Sequence, residues 1–196
     1  MLMQDVKLKH ETTLFEWVQG HRLQYLTDIV HSMKNGIDTR IITGKDNDIH
    51  VLHNDVFTFH YTMEEYKSIF ERRAKRFLDI VKTSSELLFV RINPNSNYTT
   101  TEEEITNFCN EIHSINPSLH IKFLIIHTVE DLSTYTRLDE SKIPSITFMQ
   151  KEFLKEECPD EYLKNNPHIQ KKFLEYLQEL GINTSLTSDI AFNDRT

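Results

Sequence analysis

The sequence predicts an α/β protein, a three-layer arrangement in which a mainly parallel sheet carries helices on both faces. Three observations carry that expectation. Leu87 to Ile92 and Ile121 to His127 are predominantly apolar runs of strand length, and strands without an exposed polar face belong to sheets covered on both sides. Amphipathic helical stretches alternate with them, as crossovers between parallel strands require. The 196 residues, 38% of them hydrophobic, suffice for one domain with a core of its own.

The elements follow in order. From Leu14 to Met33 apolar residues recur at Leu14, Val18, Leu26, Ile29, Val30 and Met33 with Gly36 just beyond, which predicts a helix with a C-terminal stop, interrupted near Gly20. Gly44 to Asp48 is a polar turn between a short strand ending at Ile42 and another near His50 to Leu52. Val56 to His60 alternates as a strand does and is expected in the parallel sheet. Thr62 and Glu65 have capping-box spacing and open a helix running to about Lys82. Thr101 to Ile115 is a second helix, with Ile105, Phe108, Cys109, Ile112 and Ile115 on one face. Ser145 to Met149 reads as a fourth strand. A last helix, Pro167 to Leu180, stops at Gly181. The expected organisation is a single domain over 1–182 and a polar tail over 183–196.

Bulk composition narrows the function classes. Twenty-two Lys and Arg against thirty Asp and Glu leave a net charge of −8, which disfavours duplex DNA as a partner because phosphate neutralisation needs a basic surface. No apolar run approaches the roughly 20 residues of a membrane helix, and the opening MLMQDVKLKHE lacks the apolar segment of a secretion signal. Two cysteines, Cys109 and Cys158, form neither a metal knuckle nor a disulfide framework, which fits a reducing, cytoplasmic setting. His50, His53 and His60 are completed by no carboxylate or cysteine at metal-ligand spacing, so no metal is expected. No glycine-rich phosphate loop or nucleophile elbow is present, and no cofactor is expected.

Polar residues at the ends of apolar strands are the candidate site. Open parallel sheets bind ligands at the carboxyl ends of their strands, and His60, Arg91, Asn93 and His127 all fall there. On the helix from Thr62 the inward positions read as Tyr66, Ile69, Phe70, Phe77 and Ile80, with Arg73 in the middle of that stripe. A guanidinium there needs a partner, since burying an unpaired ion is costly. Two roles are open for Arg73: a structural ion pair with Glu16 or Asp55, or a cleft residue holding an anion. Cys109, inside an apolar stripe, reads as a buried, inert thiol. Cys158 lies beside Glu156 and Glu157, which discourage its thiolate.

The blocks Leu14-Phe15-Glu16-Trp17, Phe59-His60, Arg72-Arg73-Ala74-Lys75-Arg76-Phe77 and Leu88-Phe89-Val90-Arg91 resemble, in order and approximate spacing, a papain-like cysteine peptidase family of bacteria and large DNA viruses. The resemblance spans roughly residues 4 to 127 and adds Trp17 to the candidate ligand-binding set of Arg73, Arg91, Asn93 and His127, with His60 as the candidate base. Members of that family open with Ser-Leu-Gly and, a few residues on, a nucleophilic cysteine. Here no cysteine precedes Cys109. Either the nucleophile belongs to a segment upstream of Met1, or the chain is a non-catalytic relative that keeps an anion-binding crevice; the second is the expectation, in the cytoplasm or, for a viral protein, the host cytoplasm or virion. Its partner would be an anionic small molecule or another protein. The alternatives are a structural or interaction protein such as a virion component, and a sugar- or nucleotide-handling enzyme.

Overall fold

The structure, a computed structural model, describes residues 2–5, 19–20, 22–46, 48–51, 53–58, 62–94, 100–129, 136–143, 145–154 and 167–182. In chain order the elements are β1 (Leu2–Asp5), β2 (Gln19–Gly20), α1 (Leu23–Lys34), β3 (Ile42–Lys45), β4 (Asp48–Val51), β5 (His53–Thr58), α2 (Met63–Thr83), β6 (Glu86–Pro94), α3 (Glu102–Ile115), β7 (His120–Val129), β8 (Thr147–Leu154) and α4 (Pro167–Glu179). Helix and strand are mixed as the sequence predicts. No described helix is long and apolar enough to cross a membrane.

The strands form two sheets. The first has the order β1-β6-β7-β8, with β6, β7 and β8 mutually parallel and β1 antiparallel on the β6 edge. Helix α3 is the crossover from β6 to β7. The second sheet, β2-β5-β4-β3, is antiparallel throughout. This corrects the expectation for Val56 to His60. The strand there, β5, belongs to the second sheet, because one residue separates it from β4 and so short a link allows only antiparallel pairing. Of the helical stretch expected from Leu14 to Met33, residues 14–18 lie outside the described residues, and α1 covers Leu23–Lys34. Gln19 and Gly20 instead pair with Phe57 and Val56 as β2.

Both long helices start on capping boxes that satisfy their first orphan amides. Thr62 Oγ1 accepts from the Glu65 amide while the Glu65 carboxylate accepts from the Thr62 amide, and Thr101 and Glu104 repeat the arrangement on α3. The buried stripe of α2 is Tyr66, Phe70, Ala74, Phe77, Leu78 and Val81. Arg73, expected at its centre, is displaced to the border and half-buried. Alanine at position 74 takes the inward place. Helix α4 ends in a Schellman turn, with Gly181 at φ 71 and the Ile182 amide donating to the Leu177 carbonyl.

Alternate residues of the first sheet enter different cores. Leu87, Phe89, Ile121, Phe123 and Ile125 join one cluster with α1, α2, α3 and residues of β3 and β4. Leu88, Val90, Leu124 and Ile126 form another with Leu177, Leu180 and Ile182 at the end of α4. The period-two alternation of a strand thus divides one apolar run between two faces.

Candidate functional site at the carboxyl edge of the parallel sheet

Along β6, β7 and β8 the face toward α3 changes character row by row. Phe89, Phe123 and Phe148 are aligned across the three strands, their ring centroids 6.2 and 6.4 Å apart, and Phe108 of α3 meets Phe89 edge-on at 5.2 Å. Two residues onward, about 6.5 Å along the strands, the aligned row is Arg91, Ile125 and Gln150. Two residues further His127 and Glu152 are aligned on that face, with the backbone of Asn93 in register with His127. An aromatic floor therefore gives way to a polar rim at the carboxyl ends, where parallel sheets bind ligands.

Arg91 is 5% exposed, and its Nε donates to Thr100 Oγ1 at 2.9 Å. Thr100 immediately precedes the N-cap of α3, so the helix N-terminus stands beside the guanidinium. Burial pushes Arg91 down to about 10, partly offset by the Glu104 carboxylate. At neutral pH the group is still a cation. Glu104, itself buried, also accepts from Arg22 Nε at 3.3 Å and from the Thr101 amide at 3.1 Å. One carboxylate thereby serves the helix cap, Arg22 and the field around Arg91.

His127 is 4% exposed. Burial, followed by the positive fields of Arg137 and Arg91, pushes it down to about 4, so it is neutral at pH 7. Glu152, its register partner on β8, has its Oε1 3.5 Å from Arg137 Nε. That oxygen is buried and accepts no hydrogen bond among the described residues.

Segment 136–143 is tied across this edge by Gln150. The amide side chain accepts from the Leu138 amide at 2.9 Å and donates to the Leu138 carbonyl at 2.7 Å and to Glu140 Oε1 at 3.2 Å. The Asp139 amide donates to Glu102 Oε1 at 2.8 Å, joining the segment to the first turn of α3. Arg137, well exposed, is held over the rim between Glu152 and Glu140.

Of the residues expected at the site, Arg91 and His127 are brought onto one face of adjacent strands, with the backbone of Asn93 in register with His127. Arg73 lies on the border of α2. Trp17, His60 and Glu16 lie outside the described residues, as does the side chain of Asp55. Thr100, Glu104, Arg137, Gln150 and Glu152 were missed, although the alternation of Gln150 and Glu152 beyond Phe148 continues the expected fourth strand. Cys109 is fully buried on α3, and burial pushes its thiol up to about 12. Cys158 lies outside the described residues. Among those described, no three His, Cys, Asp or Glu side chains are grouped to hold a metal. The chain matches no family model, no curated protein and no solved structure.

The arrangement offers a buried cation, a second cation at the rim, a neutral imidazole able to donate or accept, and a carboxylate oxygen with acceptor capacity to spare. It is equipped to hold a polar ligand.

Proposed function

We propose that the carboxyl edge of the parallel sheet is an anion-binding crevice, in a non-catalytic relative of the papain-like cysteine peptidase family. The observation that carries this reading is the buried Arg91 guanidinium, on the same face as His127 and next to the start of α3. Charge-assisted hydrogen bonds to an anion are stronger in such a setting than in water. Arg137 supplies a second guanidinium from the rim.

Binding is favoured over cysteine hydrolysis because that chemistry needs a thiolate beside a histidine. Cys109 faces the aromatic core with its thiol raised far above neutrality. The same proposal includes the three-layer reading, with α1, α2 and α3 on one side of the first sheet and α4 on the other, and residence in a reducing, cytoplasmic compartment.

Thermal denaturation with added phosphate or sulfate tests the function. Both salts are expected to raise the melting temperature of the wild type saturably, beyond chloride at equal ionic strength, and to leave Arg91→Met at the chloride value. Equal responses from the two proteins would overturn the crevice.

A further inference from the structure

We propose that the ligand of this crevice is a phosphorylated sugar or polyol, its phosphate on Arg91 and a hydroxyl donating to Glu152. The inference rests on the anion-binding reading and deepens it.

A bare anion accounts for only half of the rim. Arg91 and Arg137 are donors suited to phosphate oxygens. Glu152, on β8 two residues beyond the row of Arg91, is the opposite kind of group, and its buried Oε1 accepts no hydrogen bond among the described residues. An acceptor so placed calls for a donor, and it would repel an anion brought close to it. The ligand should therefore carry an anionic end and a donor end.

Distance and charge specify the donor. Strands lie about 4.8 Å apart, so the backbones of β6 and β8 are about 10 Å apart across the sheet, which suits a small chain or ring between the two ends. A hydroxyl fits Glu152 better than an ammonium group would. Arg137 Nε already stands 3.5 Å from that oxygen, and His127 beside it is held neutral between two arginines, so a further cation would add repulsion where a neutral donor adds none. The imidazole can exchange hydrogen bonds with a neighbouring hydroxyl of the same ligand.

Isothermal titration with ribose 5-phosphate, ribose and inorganic phosphate, on the wild type, Glu152→Met and Glu152→Gln, tests the inference. Ribose 5-phosphate should bind the wild type at least about tenfold more tightly than inorganic phosphate, the worth of one hydrogen bond to a charged acceptor. In Glu152→Met the preference should fall below about threefold while phosphate binding is kept or improved, since a negative charge has been removed. Glu152→Gln keeps the shape and loses the charge, and should show an intermediate preference if the methionine variant does not fold. Equal binding of the two phosphates by the wild type, or a preference that survives both substitutions, would overturn the inference and leave the anion crevice standing. Binding of neither would remove both.

Discussion

Lowering the pH from 7 to 4 should destabilise the fold through His127 in particular. The imidazole is depressed from its ordinary 6.5 to about 4, by burial first and then by Arg137 and Arg91. Between those values the unfolded chain binds a proton that the native state refuses, so stability falls as pH falls through this window and is unaffected above about 7. At 1.36 kcal/mol per unit the full loss is about 3 kcal/mol, a large share of a typical domain's stability. Carboxylates held low, such as Glu86 between His120 and Lys122 and Glu111 beside Lys34, lose stability in the same direction. A variant is needed to separate them. Urea denaturation of wild type and His127→Gln at pH 4, 5, 6 and 7 gives the difference, since the glutamine cannot titrate. The gap between the two proteins should shift in favour of the variant by about 3 kcal/mol from pH 7 to pH 4. Parallel curves would mean that His127 titrates normally and is not enclosed by the two arginines.

Other expectations follow from the same edge. Gln150→Ala should cost about 2–4 kcal/mol in urea denaturation, because it strands the buried amide and carbonyl of Leu138. It should also speed hydrogen exchange at the Leu138 amide before that of α3; a cost below about 1 kcal/mol would show that segment 136–143 does not depend on the clamp. Cys109 should resist a thiol reagent in the native protein and react on unfolding, and rapid native labelling would contradict its place in the aromatic core. Arg91→Met should leave stability within about 1 kcal/mol, since an apolar chain of similar length avoids the desolvation of a buried cation and Glu104 keeps Arg22 and its cap. A loss of 3 kcal/mol or more would make Arg91 a structural ion instead.

Much of the fold was legible because local chemistry and tertiary packing agree. Thr62 with Glu65 marks the start of α2 without ambiguity, and the apolar runs at Leu87 and Ile121 could only be covered strands. The place of β5 was not legible. A helix stands between it and β6, as in a parallel crossover, and only the one-residue link back to β4 decides for the antiparallel sheet. Arg73 was misplaced by one position because Ala74, too small to register as apolar, lies on the true stripe from Phe70 to Phe77. At the site, Arg91 and His127 could be found because each ends an apolar run. The apolar run of the fourth strand stops at Met149, and nothing local shows that the strand continues through the polar Gln150 and Glu152. The contributions of Arg22, Glu104 and Arg137 depend on contacts across 82, 13 and 15 positions or their like, with no sequence periodicity to announce them.

The measurement that bears most directly on the crevice is a crystal structure of the protein soaked in tungstate, with the anion located by its anomalous scattering. An ordered tungstate within hydrogen-bonding distance of the Arg91 guanidinium, on the His127 face of the sheet beside Thr100, is the predicted result. Tungstate bound only at surface lysines and arginines remote from Arg91, with the Arg91 edge empty at saturating concentration, would contradict the account.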